Sequence, residues 1–155
     1  GLRGNIRIIA SGKVTTGFKM ARLMALGAEV CYSARAMMFA LGCIQARRCN
    51  ANDCPTGVAT QDRNLISGLV VQDKRKRSCR YHAATLESLM ELVAAAGLVS
   101  PLELRPHHIY RRVEDYKVQT FDEIYEWLEP CQLLAADGIS PQYATMLEGA
   151  TADSF

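Results

Sequence analysis

The chain lacks a long apolar run, and its charges nearly cancel. No uninterrupted apolar stretch reaches the roughly 18 residues that a transmembrane helix needs, so we expect no membrane span. Its 18 lysines and arginines face 16 acidic residues, and the resulting net charge of +2 gives no general attraction to nucleic acid. We therefore expect neither a membrane nor a nucleic acid as a partner.

The first residues also lack an export signal, because β-branched, strand-like residues follow at once at positions 6–10. We therefore expect a reducing, cytoplasmic location, where disulfides are rare. In such a compartment clustered cysteines are typical of metal ligands, and isolated ones are typical of packing. The six cysteines are Cys31, Cys43, Cys49, Cys54, Cys79 and Cys131. With 155 residues and 49% hydrophobic content, the chain can form one domain with a core.

Three of the cysteines fall in one loop-like stretch, residues 42–61. Cys43, Cys49 and Cys54 are six and five residues apart. A helix would turn residues at these intervals by roughly 240° and roughly 140°, so only irregular backbone brings the thiols together. Thiolates are preferred ligands of iron–sulfur clusters and of zinc. Zinc sites usually have closer pairs and four ligands, and the nearest histidine in sequence is His82.

Three thiolates without an obvious fourth ligand favour a 3Fe-4S cluster, or a 4Fe-4S cluster with one foreign ligand. Two alternatives remain open. The cysteines are structural thiols, or they belong to a non-catalytic zinc-binding interaction module.

A strand–helix–strand unit precedes the cysteine stretch. Strands are predicted at residues 6–10 and 28–31, and a helix at residues 18–26 that begins after Thr16 and ends at Gly27. Each strand runs into a polar turn, and parallel α/β folds bind ligands at that edge of the sheet. The two turns are Ser11-Gly12-Lys13 and Ser33-Ala34-Arg35. Together their hydroxyls, backbone N–H groups and cations suit one phosphate, with ordinary polar turns as the alternative.

The rest of the chain is predicted to be mostly helical. The longest predicted helix ends at Gly97, and the basic run at residues 74–77 is predicted to be its solvated first turn. Binding of nucleic acid or of an acidic protein by this run is the alternative. Thr120 and Glu123 form a predicted capping box that opens a helix reaching Leu128. Residues 142–155 show little pattern, and we expect an extended arm.

Residues 10–61 resemble the C-terminal end of the FMN-binding domain of glutamate synthases, especially the archaeal-like type. The resemblance is strong over residues 3–97, includes the segments GLVVQDK and YHAATL, and continues to the terminal ADSF. In that family the domain is a (β/α)8 barrel with FMN and a 3Fe-4S cluster. It reduces 2-iminoglutarate, made from 2-oxoglutarate and ammonia, to L-glutamate. Another FMN barrel dehydrogenase with a different substrate is the alternative.

The resemblance implies an α/β fold that is the C-terminal part of a (β/α)8 TIM barrel. Residues 1–97 would supply the last two strand–helix units and residues 98–155 a mainly helical extension. It also implies that Cys43, Cys49 and Cys54 bind the cluster. The residues implied for the FMN phosphate are Ser11, Gly12, Lys13, Ser33, Ala34 and Arg35.

The partners that the resemblance implies are 2-oxoglutarate, an electron donor such as ferredoxin or an NAD(P)H-dependent subunit, and the remainder of the barrel. A complete barrel takes about 250 residues. We therefore expect this chain to be a C-terminal fragment or a split-gene subunit that is inactive by itself.

Overall fold

The computed structural model describes residues 2–135, 138–151 and 153. The first half contains β1 (Ile9–Ala10), α1 (Gly17–Ala25), β2 (Val30–Cys31), α2 (Arg35–Leu41), α3 (Arg63–Ile66) and α4 (Val71–Ala95). The second half contains β3 (Tyr110–Glu114), β4 (Lys117–Thr120), α5 (Phe121–Ile124), α6 (Gln132–Ala135) and α7 (Pro141–Gly149). Short 3₁₀ helices lie at Leu2–Asn5, Cys49–Ala51, Pro101–Glu103 and Pro106–His108. None of the described helices is both long enough and apolar enough to span a membrane.

The predicted strand–helix–strand unit is present. β1 and β2 pair in parallel, with Ile9 opposite Val30. Thr16 caps α1 by accepting a hydrogen bond from the backbone N–H of Lys19 at 3.2 Å, and Gly27 follows the helix with φ +107°. Each strand has two residues, and within the described part the sheet contains no third strand. The rest of the barrel remains a prediction.

The core forms where α1 packs on α4. Its buried side chains are Ala21, Ala25, Leu89, Val93, Leu104, Ile109 and Phe121. The small residues of α1 allow close approach, and a Cβ added at Gly17 would lie 2.6 Å from the backbone nitrogen of Leu89. Three of the core side chains come from residues beyond position 98. The C-terminal segment therefore shares one core with the strand–helix–strand unit.

The C-terminal segment contains an antiparallel hairpin that sequence analysis missed. β3 and β4 pair with Tyr110 opposite Thr120, and every residue of β3 is exposed. Without a buried face, β3 shows no alternation of apolar and polar residues that would predict a strand. The predicted capping box is confirmed, because the Thr120 backbone N–H donates to Glu123 Oε2 at 2.9 Å.

Two predictions for this segment are wrong. The helix that opens at Thr120 ends at Ile124, with extended backbone at Tyr125, rather than reaching Leu128. The expected extended arm is helical at Pro141–Gly149, because proline is well suited to the first turn of a helix. Positions 152, 154 and 155 of the predicted arm lie outside the described residues.

Candidate cofactor-binding site

The three cysteines singled out by their spacing line one cavity. The cavity has a volume of about 230 Å³, and Cys43, Cys49 and Cys54 all contribute to its wall. Cys43 is held at the end of α2, where its backbone N–H donates to the Met38 carbonyl at 3.0 Å. Cys49 opens a 3₁₀ turn, and Cys54 is buried. The irregular loop, residues 43–61, thus brings together thiols that a helix would separate.

The loop is closed by contacts between its own polar groups. The Arg48 guanidinium forms an ion pair with the Asp53 carboxylate. Asn52 has φ +59°, and its side-chain oxygen accepts a hydrogen bond from the Gln61 N–H at 2.7 Å. The Thr60 hydroxyl donates to the Asn52 carbonyl, and Thr60 also forms an antiparallel bridge with Asp53. These contacts fix the link between the second and third thiols.

The Cys54 thiol lies among hydrogen-bond donors that favour its ionised form. Its Sγ is 3.3 Å from the Thr56 hydroxyl. This hydroxyl, followed by the backbone N–H groups of Ala59 and Thr56, lowers the pKa of Cys54 to about 7. The thiolate is the form that binds metal, so these donors prepare the sulfur as a ligand. Gly57 has φ +74°, and a Cβ there would overlap the Leu65 carbonyl oxygen.

The cavity offers three thiols as ligands, and no histidine is among the described residues that line it. Within the described ranges, no three His, Cys, Asp or Glu side chains are close enough together to hold one ion. Thiolates are preferred ligands of iron–sulfur clusters and also bind zinc, so this donor set suits either group. Arg35, Arg47 and Arg48 line the same cavity and can offset the negative charge of three thiolates.

The two predicted phosphate turns lie at the same end of the β1–β2 pair. The Tyr32 backbone N–H donates to the Ala10 carbonyl at 2.8 Å, and the Ser33 hydroxyl donates to the Val14 carbonyl at 2.6 Å. The first turn, Ser11-Gly12-Lys13, is exposed, and both Gly12 and Lys13 have positive φ. The structure therefore ties the two turns together through a side chain of the second one.

The second turn also connects the strand pair with the cysteine loop. Arg35 lines the cysteine cavity, whereas Ser33 and Ala34 line a neighbouring cavity of about 390 Å³. Tyr81 of α4 contributes to that second cavity and donates from its hydroxyl to the Thr15 carbonyl at 2.8 Å. One predicted phosphate residue therefore reaches the thiols, and its two neighbours face an adjacent space.

Sequence reasoning missed the residues that shape the loop. They are Asn52, Asp53, Thr56 and Thr60. One signal was available, because Asn and Asp tolerate left-handed backbone and bond to nearby main chain, which makes an Asn-Asp pair before Cys54 a turn signature.

A parallel strand–helix–strand unit with polar turns after its strands is an arrangement typical of α/β proteins, which bind ligands at the carboxyl ends of their strands. A family model described as a conserved region in glutamate synthase matches residues 1–99. The chain belongs to the glutamate synthase family.

Individual relatives agree with the family match. The chain is 44% identical to the glutamate synthase large subunit-like protein YerD of Bacillus subtilis over 124 residues, which is 80% of this chain and 24% of that protein. It is 37% identical to the archaeal glutamate synthase [NADPH] of Methanocaldococcus jannaschii over 105 residues, 68% of this chain and 21% of the relative. Glutamate synthase [NADH] of Saccharomyces cerevisiae is 33% identical over 106 residues, 68% of this chain and 5% of the relative. The chain thus spans about a quarter or less of these relatives.

Proposed function

We propose that this chain is the part of a glutamate synthase that binds a 3Fe-4S cluster and the phosphate of FMN. The whole enzyme would reduce 2-iminoglutarate, formed from 2-oxoglutarate and ammonia, to L-glutamate. The observation that carries the proposal is the cavity that Cys43, Cys49 and Cys54 share with Arg35. Membership of the glutamate synthase family supports it.

Each residue of the site has a distinct part in this proposal. The three thiolates hold the cluster, and the Thr56 hydroxyl favours the ionised form of Cys54. Lys13 and Arg35 balance the phosphate charge, and the Ser11 hydroxyl and the backbone N–H groups of Gly12 and Ala34 donate hydrogen bonds to it. Ser33 positions the second turn, because its hydroxyl donates to the Val14 carbonyl. When bound, FMN supplies hydride transfer and the cluster supplies one-electron transfer.

The proposed enzyme needs partners that complete the barrel and supply substrate and electrons. Ile9 and Val30 face each other across the strand pair and remain 51% and 44% exposed. Parallel sheets are normally buried, so we expect further strands and helices to cover these exposed apolar residues. We propose that they come from the remainder of the barrel. The electron donor would be ferredoxin or an NAD(P)H-dependent subunit, and 2-oxoglutarate would be held mainly by the rest of the enzyme.

Cluster assembly tests this proposal directly. The purified chain is reconstituted anaerobically with iron and sulfide, oxidised mildly and studied by electron paramagnetic resonance. We expect the spectrum of a 3Fe-4S cluster in the wild type and its loss in Cys49→Ala. Cys79→Ala is the matched control, because Cys79 is exposed on α4 outside the cavity, and this variant should keep the spectrum.

A wild type that gives no cluster spectrum would contradict the proposal, and so would either of two further results. One is a cluster spectrum that survives in Cys49→Ala. The other is a chain that takes up zinc and contains no acid-labile sulfide, which would favour the zinc-binding module. A double mutant lacking Cys49 and Cys54 is also measured by circular dichroism. If its spectrum matches that of the wild type, loss of the cluster reflects loss of ligands and not loss of fold.

A further inference from the structure

The first half of α4 carries a dense group of cations that the proposed function does not use. We call Arg75, Lys76, Arg77 and Arg80 the α4 basic patch. All four side chains are exposed, and none forms an ion pair within the described part of the chain. Asp73 is the one acidic residue of segment 71–80, and its carboxylate is 3.8 Å from Lys74 instead.

The patch is unfavourable for the helix itself. Lys76 and Arg80 are four residues apart, and Arg77 and Arg80 are three apart, so like charges repel on neighbouring turns. An acidic residue at any of these positions would relieve the repulsion. A local cost without local compensation is typical of a surface that serves binding.

The patch borders an apolar groove between α2 and α4. The groove has a volume of about 460 Å³, and Arg77 and Arg80 stand beside an apolar lining that includes Ala36, Phe39 and Ala40. On the other side of Arg80, a second depression of about 370 Å³ lies among Arg75, Lys76, Cys79 and Arg80. An apolar centre with a charged rim is the usual anatomy of a protein–protein interface.

The groove leads to the cysteine loop. Phe39 lies in the last turn of α2, which ends at Leu41, two residues before Cys43. The Lys74 ammonium also packs at the end of α2, where a Cβ added at Gly42 would be 3.2 Å from its nitrogen. A protein seated on the groove would therefore lie beside the proposed cluster ligands.

We propose that the α4 basic patch and its groove dock an acidic one-electron carrier protein. This inference rests on the proposed function, because it names the donor to that site. One electron leaves the reduced carrier and one enters the cluster, with no bond formed or broken. Nucleic acid fits less well, since a net charge of +2 and a pI of 8.3 give weak attraction for an extended polyanion.

The test uses a small acidic [2Fe–2S] ferredoxin as the probe. Its binding to the full chain is measured by titration calorimetry at low and at high salt, and the rate of cluster reduction by stopped-flow absorbance. The patch variant combines Arg75→Glu, Lys76→Glu and Arg80→Glu. The control variant makes the same charge change far from α2, with Arg111→Glu, Arg112→Glu and Lys117→Glu on the hairpin.

We expect the patch variant to weaken binding and slow reduction by about tenfold or more at low salt, and the control by no more than about twofold. Both variants should keep the circular dichroism and cluster spectrum of the wild type. The proposal would be overturned if the two variants lost binding equally or if neither lost it. It would also be overturned if a DNA duplex bound more tightly than ferredoxin, or if ferredoxin bound through the patch without reducing an intact cluster. Absence of a cluster in the wild type would instead count against the proposed function, and the binding measurement would still test the patch.

Discussion

The cysteine loop and the β1–β2 strand pair differ in how complete they are. The loop is held by contacts of its own, because the Arg48–Asp53 ion pair and the two contacts of Asn52 connect residues 48–61 with one another. The strand pair has two residues in each strand and leaves apolar side chains exposed on a sheet with no third member in the described part. Contacts within the loop therefore determine its conformation, whereas the strand pair needs further residues to cover its exposed apolar side chains.

The difference matters for the two proposed cofactors. A cluster held by Cys43, Cys49 and Cys54 draws every named ligand from one loop. The proposed phosphate site draws on two turns whose spacing depends on the strands before them. We therefore expect cluster assembly to need less of the complete enzyme than FMN binding does.

Both regions depend on the α1–α4 core, and replacing Val93 should have the largest effect. Val93 is fully buried, so Val93→Asp places an unpaired carboxylate in an apolar core at a cost of more than about 4 kcal/mol. We expect loss of cooperative unfolding in a circular dichroism melt. Val99→Asp is the control, since Val99 is 85% exposed and should melt as the wild type does. A Val93→Asp variant that unfolds cooperatively at the wild-type temperature would show that Val93 is not essential to the core.

The internal closure of the loop is tested next by Gly57→Ala. Alanine at the left-handed φ of +74° costs about 1–2 kcal/mol, and overlap with the Leu65 carbonyl adds about 1–3 kcal/mol. Gly97→Ala measures the cost of the left-handed backbone alone, because Gly97 has φ +76° and open space around its Cβ position. Urea denaturation of both variants measures the difference. Equal destabilisation would mean that the loop yields at Leu65.

A smaller effect is expected at Asn52. Asn52→Ala leaves the Gln61 N–H without its side-chain acceptor and should cost about 1–2 kcal/mol of local stability. Asn52→Asp keeps an acceptor and should restore most of it. Hydrogen exchange at the Gln61 amide, followed by NMR on the chain without metal, provides the measurement. Fast exchange already in the wild type would contradict the view that the loop is closed before it binds a cluster.

Sequence reasoning succeeded where a local motif marks the structure. It failed where a segment has no hydrophobic period and where contacts form only after the chain has folded. The caps at Thr16 and Thr120 follow from neighbouring residues, and the structure has both. The β3–β4 hairpin was not predicted, because its exposed residues show no alternation of apolar and polar side chains. The spacing of the cysteines singled out the thiols, yet it gave no account of Asp53 or Thr60, whose contacts arise only once the loop is folded.

The Glu29 carboxylate links the residues before β1 to the residue before β2, and this link should depend on pH. Glu29 accepts a hydrogen bond from the Ile8 N–H at 2.6 Å and pairs with Arg3 at 2.8 Å. The Arg3 side chain, followed by the Ile8 N–H, lowers the pKa of Glu29 below its ordinary value of 4.5. The carboxylate therefore stabilises the folded chain fully above the ordinary value, and this contribution is lost as the pH falls through the lowered one.

We expect Glu29→Gln to speed hydrogen exchange of the Ile8 amide at pH 6, with a smaller difference from the wild type once Glu29 is protonated. High salt should reduce the part that is due to Arg3, because the pair is exposed to solvent. Glu91→Gln, on the exposed side of α4, is the control and should leave Ile8 unchanged. If Glu29→Gln speeds exchange of the Ile8 amide equally at acid pH, the side chain of Glu29 acts through packing and not through its charge. Packing around β1 would then protect the strand pair in addition to its two-residue ladder.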